Sequence, residues 1–408
     1  MPRRERPSTD GLKSRRSGAL WYPLPQRAEL FAAYATPALP SRKGRVGSPR
    51  LRPFLTSCAA SLYETGYEHR KESTHSDASH VENRQIISRL IARPEFGPFI
   101  LLVIEIAVFW AINHEFLSAQ NISNTLSFTV ELGLMALAMT LLMTSGEFDL
   151  SVGSLFGFAP VLMWTLFNSG ATSLEVAFLV AMVLSGLIGY FNGWFTTRLR
   201  IPSFLVTLGM LLVVRGTALF ITNGFPQRTW SAGGQWLAQV LVGDFFIGPF
   251  RVYMSLFWFT GTAIILGYVL TQTKAGNWIL AAGGNAGAAR ARGVKVARTK
   301  ISLFILSAAL AALAGIISSI RTSAANPNSG TGYELEVIAM VVIGGTSLTG
   351  GRGTIVGTVL GIFILRVMRN GIVLVGVPGL AYNIFIGAII LGMMALHYGI
   401  ERRHQTEG

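Results

Sequence analysis

Charge is scarce in this chain. Only 13% of its residues are Asp, Glu, Lys or Arg, where a soluble domain carries roughly a quarter. Cysteine is nearly absent: Cys58 stands alone among 408 residues, which excludes an internal disulfide and any multi-cysteine metal site. There is no G-x-x-x-x-G-K-[S/T] phosphate loop, so any ATP-driven work must be supplied by another polypeptide. The six histidines fall mainly in the N-terminal tail and at the ends of apolar runs, without H-E-x-x-H spacing or a carboxylate cluster, so neither a metal nor another cofactor is expected. These absences together remove the enzyme classes.

Apolar residues make up 51% of the chain. They come in runs of the length that a helix, rising 1.5 Å per residue, needs to cross about 30 Å of hydrocarbon. The runs lack the two-residue alternation of barrel strands, and backbone amides in lipid must be satisfied internally, so the fold class is all-α, a polytopic membrane protein. About ten spans are expected, near residues 98–116, 124–144, 149–168, 174–197, 203–223, 250–271, 301–322, 334–347, 354–373 and 379–397, with the eighth short for a full crossing. They define a membrane domain over residues 96–400, followed by a short tail at 401–408.

Residues 1–85 are a different material, rich in Arg, Pro, Ser and Gly without apolar periodicity. They are expected to be disordered. No apolar core follows the first basic cluster, which argues against a cleavable secretory signal, and Glu5, Asp10 and Glu29 argue against an organellar transit peptide. An over-extended start, with the natural chain beginning near Val81, is the competing expectation.

The formal net charge of +14 does not point to nucleic acid, because the basic residues sit in the tail and in the connections. Arg198, Arg200, Lys274, Arg290, Arg292, Lys295, Arg298, Lys300, Arg352, Arg402 and Arg403 fall in one set of alternate connections; Arg228, Arg251, Arg321 and Arg369 fall in the other. Basic connections stay in the cytoplasm during insertion, so both termini are expected there, and residues 224–249 form the largest external loop, with Trp230 and Trp236 suited to the interface.

Two breaks interrupt the apolar pattern. SGEFDLSVGS at residues 145–154 places Glu147 and Asp149 among glycine and serine, and IGGTSLTGGRGT at 343–354 shares a Leu-Ser/Thr-x-Gly core with it. The first is read either as a tight helical hairpin, with Gly146 allowing the reversal and Asp149 capping the next helix, or as one of a pair of glycine-interrupted spans beside a transport pathway. Gly353, Gly357 and Gly361 recur every four residues, a face suited to close helix packing. Two ionisable residues stand out inside spans, Glu131 and Arg215. Their similar depth leads to the expectation that they pair, because an unpaired charge at that depth costs upwards of about 2.5 kcal/mol. The segment 274–300, KAGNWILAAGGNAGAARARGVKVARTK, is basic and rich in small residues. A short surface helix is expected there, with Ala286–Ala291 better suited to a protein groove than to burial in lipid, while attraction to anionic membrane lipid is the plainer alternative.

At these residues the chain resembles a known family. SGEFDLSVGS, NGWFTTRLRIPSFLVTLGMLLVVRG, AAGGNAGAARARGVKVARTK and GYELEVIAMVVIGGTSLTGGRGTIVGTVLG, in this order over residues 96–400, look like the permease subunits of bacterial ribose-type ABC importers for monosaccharides. The resemblance implies a bacterial inner-membrane location and a permease dimer, of identical or related chains. It also implies an ABC ATPase pair below, a periplasmic sugar-binding protein above, and import by alternating access. It places an ATPase-coupling helix at about Asn285–Val296, including Asn285, Ala286, Gly287, Ala288, Ala289, Arg290, Arg292 and Gly293. The chain departs from the family pattern where Ala286 and Gly287 replace an acidic residue after GGN, and where Glu147 and Phe148 replace a glycine. Candidate pathway or gate residues are Glu147, Asp149, Ser151, Asn192, Thr207, Asn326 and Tyr333. An ion- or proton-coupled secondary transporter using Glu131 or Glu147 is the rival reading, and a non-transporting membrane anchor is a third.

Overall fold

A computed structural model describes residues 95–229, 235–388 and 391–392. The tail at 1–85, Cys58, Trp230 and the terminal residues 401–408 lie outside the described residues. The described part is helical, with four short strands. Its helices are α1 (Phe96–Ile112), α2 (Ala119–Thr144), α3 (Val152–Asn168), α4 (Leu174–Arg198), α5 (Ser203–Thr222), α6 (Trp236–Val242), α7 (Met254–Gln272), α8 (Lys274–Gly284), α9 (Ala286–Ala291), α10 (Val296–Thr322), α11 (Tyr333–Ile343) and α12 (Ile355–Leu374). A further helical run covers residues 382–388. Six helices, α2, α4, α5, α7, α10 and α12, are long and apolar enough to cross a membrane. α1 and α3 are shorter apolar helices.

Local chemistry sets several boundaries. Ser118, Ser173 and Thr354 accept the backbone N–H of Asn121, Val176 and Gly357 at the starts of α2, α4 and α12, satisfying donors that have no partner within the helix. α5 begins directly after Pro202 and ends where Asn223 turns left-handed. The span expected at 250–271 starts later, at Met254, because residues 250–253 pair antiparallel with 244–247 to form a hairpin. The Arg251 guanidinium bonds the Asp244 carboxyl across that hairpin and holds it below the usual carboxylate range.

α2 forms the centre: 89% of its most apolar stretch is buried, against 17% for α5 and 22% for α7. Packed about α2 are α10, α12, α7 and α11. The Thr140 and Thr358 hydroxyls bond at 2.6 Å between α2 and α12, and the Trp164 indole N–H donates to the Ser319 hydroxyl between α3 and α10. Gly357 and Gly361 face the backbone of α11 at Gly344 and Met340, so α11 and α12 approach as closely as the four-residue glycine spacing predicts.

The connections separate into two ends. Thr144 meets Gly351, Phe148 meets Ser203, and Glu147 meets Lys300 at one end. Asn113 meets Leu374, Asn121 meets Asn370, Ser123 meets Arg251, and Gln227–Arg228 pair with Ala324–Ala325 at the other. The first end carries the basic connections.

Candidate coupling and translocation site

Both sequence breaks meet at the basic end. α2 stops at Thr144, and Gly146 reverses the chain at φ 82°. The Gly351 amide then donates to the Thr144 carbonyl at 2.8 Å, which stitches the α2–α3 turn to the α11–α12 turn. α8 lies against the same point. A Cβ on Gly283 would strike the Thr144 carbonyl oxygen and sit 2.6 Å from the Gly351 nitrogen, so three backbones converge in a space that admits only glycine. The shared Leu-Ser/Thr-x-Gly core does not give a shared conformation: Gly153 lies inside α3, while Gly350 and Gly351 are left-handed at φ 83° and 78°.

Side chains fasten this junction to the neighbouring helices. Glu147 forms an ion pair with Lys300 at the start of α10, 2.5 Å apart and mostly shielded from solvent. The Phe148 amide donates to the Ser203 hydroxyl at the start of α5. Asp149 accepts from the Ser151 amide at 3.0 Å and from its hydroxyl at 2.6 Å, and Ser151 in turn accepts from the Asn192 side-chain amide at 2.9 Å. Asp149, Ser151 and Asn192 are all buried. Asp149 therefore shapes the turn one step ahead of α3, whose N-cap position is occupied by Ser151.

The basic segment forms two short helices. Asn285 caps α9, its side-chain oxygen accepting the Ala288 amide at 2.9 Å. Gly293, left-handed at φ 84°, ends the segment's turn back toward α10. Ala289 packs inward with Ala282 and Val296 in a small apolar cluster of its own. Gly287, Ala288, Arg290, Arg292 and Gly293 are left exposed.

Deeper in the bundle, α11 has only 11 residues, about 16 Å of helix, or half a crossing. The chain reaches its start through residues 326–332, which fold back among the helices: Gly330 lies against Gly153 and Phe156 of α3. Tyr333 stacks edge-on against Phe156, centroids 5.2 Å apart. The Asn326 side chain accepts the Asn328 amide, and Asn328 and Thr331 are exposed. Thr207, by contrast, is buried with its hydroxyl on the Ser203 carbonyl.

The expected Glu131–Arg215 pair is not formed. Glu131 pairs with Arg321 of α10, whose Nε lies 3.0 Å from the carboxylate and whose guanidinium stacks 4.1 Å over Phe128. Arg215 instead donates to the Thr331 hydroxyl at 2.7 Å and lies within hydrogen-bonding distance of the Pro327 and Ser329 carbonyls. Sequence depth gives height along the membrane normal but not azimuth: α2 is central and borders α10, whereas α5 is peripheral. A second cluster of ionisable residues joins α11, α12 and the helical run after them. The Tyr382 hydroxyl donates to Glu336 at 2.7 Å, Arg366 lies 3.7 Å from the same carboxylate, and Arg369 stacks over the Tyr382 ring. Ionisable residues inside the spans at 334–347 and 354–373 were the available signal.

The comparisons agree with one another. Residues 121–394 match the family described as the branched-chain amino acid transport system permease component. The ribose import permease protein RbsC of Escherichia coli K12 is 37% identical over 298 residues, covering 73% of this chain and 91% of that protein. The xylose/arabinose import permease protein XylH of Sulfolobus acidocaldarius is 33% identical over 323 residues, 78% of this chain and 88% of the relative. RbsC of Bacillus subtilis is 35% identical, over 73% and 90% of the two chains. No solved structure matches the chain.

Proposed function

The chain belongs to the branched-chain amino acid transport system permease family, and from that premise we propose that it is the membrane permease of an ATP-driven importer that carries a pentose into the cytoplasm. Its relatives named for ribose and xylose support the substrate class. Without a phosphate loop of its own, it draws work from ATP-hydrolysing subunits and receives sugar from a binding protein on the opposite face. The basic end faces the cytoplasm of a bacterial inner membrane, with both termini on that side, in keeping with the distribution of Lys and Arg.

The observation that carries this reading is the seating of Gly283 against Thr144 and Gly351. A partner that moves α9 moves α8 with it, and α8 touches the backbone of both turns at once. Displacement reaches α3 and α5 through the first turn, by way of Phe148 and Ser203, and reaches α11 and α12 through the second. The half-helix α11 and the loop at 326–332, with Asn326 and Tyr333, then form the part of the pathway that opens and closes. Glu147, Asp149, Ser151 and Asn192 tie the moving turn to α10 and α4, and Glu131–Arg321 holds α2 to α10.

A second copy of the chain fits the polar groups left exposed on α5 and the loop beside it. Thr331 is exposed and bonded to Arg215 of α5, Asn328 is exposed in the same loop, and α5 itself exposes Leu212 and Val213. Polar groups at that depth are stable against water or protein, not against hydrocarbon. A second permease chain across α5 encloses a wet pathway, and neutral sugar hydroxyls can be passed along it by weak hydrogen bonds.

Uptake of labelled ribose and xylose into membrane vesicles containing the whole importer tests the function. Uptake requires internal ATP and disappears without the ATP-hydrolysing subunits. Uptake driven by a proton gradient with no ATP would instead establish the secondary-transporter reading.

A further inference from the structure

The hairpin between α6 and α7 leaves an apolar tip uncovered. Residues 245–250, FFIGPF, carry no charge, and Phe246 and Ile247 are 70% and 58% exposed, with Phe250 exposed beside them. The base of the hairpin is polar and closed. The Met254 amide donates to the Gly243 carbonyl at 2.7 Å, and the Arg251 guanidinium donates to both oxygens of the Asp244 carboxylate, at 2.7 and 2.9 Å, while lying over the Tyr253 ring. Depth follows from α2. That helix has 26 residues, about 39 Å of length, some 9 Å more than the hydrocarbon it crosses. The Arg251 amide donates to the hydroxyl of Ser123 in the second turn of α2, and Ile247 and Phe250 line one cavity with Ile122 and Leu126. The hairpin therefore descends beside the first two turns of α2, where headgroups give way to acyl chains.

What the tip adjoins identifies what covers it. Phe245 stacks on Phe257 of α7, ring centroids 6.0 Å apart, and Phe257 is exposed on the same stripe of α7 as Ile264 and Tyr268. The tip thus extends an exposed apolar face of a membrane-crossing helix. α5, the helix assigned above to a second copy, packs on α3 and α4, whereas α7 packs on α2 and α12, so the hairpin belongs to a different face of the bundle. Tyr253 and Trp258 supply aromatic rings of the kind that collect where hydrocarbon meets water, and a neutralised ion pair tolerates that depth better than either charge alone. We propose that the hairpin is a membrane-interface anchor: Phe246, Ile247 and Phe250 insert among the lipids of the leaflet away from the basic connections, and the Asp244–Arg251 pair lies among the headgroups. The occupant of this surface is lipid, whichever solute the chain carries.

Depth-dependent quenching tests this in the full chain reconstituted into phosphatidylethanolamine–phosphatidylglycerol vesicles. A nitrobenzoxadiazole label is placed at Phe246→Cys in a Cys58→Ala background, with Ile247→Cys as a second tip site should the first variant reconstitute poorly. Ala171→Cys, in the exposed turn between α3 and α4, is the comparator. Lipids carrying a nitroxide near the top of the acyl chain should quench the tip label at least twofold more than the comparator, and aqueous iodide should quench it at least twofold less. The proposal is overturned if iodide reaches both sites equally. It is also overturned if the tip label self-quenches and recovers on dilution with unlabelled chain, which would assign the tip to a second copy, or if a sugar-binding protein is needed to shield it from iodide, which would assign it to that partner.

Discussion

A guanidinium held among apolar helices needs an acceptor, and Arg321 has one in Glu131, with the Phe128 ring covering its face. Removing one member of a buried pair leaves the other uncompensated at roughly 3–5 kcal/mol, whereas removing both costs much less. Thermal unfolding in detergent should therefore show Glu131→Gln lowering the midpoint more than Glu131→Gln combined with Arg321→Gln. Glu131→Gln with Arg215→Gln should be additive, since the two side chains have separate partners. That Glu131 would need a partner was legible in the sequence, because the cost of an intramembrane charge depends only on depth. Which arginine supplied it was not, because helix azimuth is decided by packing. The same limit hid Glu336, Arg366 and Tyr382, brought together from α11, α12 and the following helical run. Asn192 and Thr207 stand out in the sequence as polar residues in spans; in the fold one is bonded to Ser151 and the other to its own helix.

At the scale of elements, α11 and the loop before it are the least conventional piece of the bundle. Arg215 fastens that loop to α5 through Thr331 and the carbonyls of Pro327 and Ser329. Arg215→Ala removes all of these contacts. In a Cys58→Ala, Asn328→Cys background, it should raise the rate of labelling by a membrane-impermeant maleimide several-fold; an unchanged rate would show that the loop is held by packing alone. Lys300→Ala should cost less, since α10 keeps its extensive packing against α4 and α3. A fall in uptake of a few-fold with unchanged sugar affinity is expected from uptake kinetics. The lengths of the spans were readable because apolar run length is a local property, and the shortness of the eighth already marked α11. The fold-back of residues 326–332 was not readable. Its sequence is that of an ordinary polar loop, and only the contact with Gly153 and Phe156 reveals it. The hairpin at 244–253 was likewise hidden within an apolar stretch that continues into α7.

For the whole molecule, the basic end gathers the turns of the bundle into one junction and presents α9 beyond it. The two glycine breaks were visible as a pair in the sequence, but not their meeting at Gly283, since a contact among three segments far apart in the chain leaves no periodic trace. The account stands on that meeting: work received at α9 passes through α8 to both turns by backbone contact. It is tested most directly by measuring ATP hydrolysis and pentose uptake in one preparation of the importer carrying Gly283→Ala, whose added methyl strikes the Thr144 carbonyl. The account predicts that hydrolysis persists while uptake falls more than tenfold, the two activities coming apart. A variant that hydrolyses ATP and imports sugar in the native ratio would contradict it.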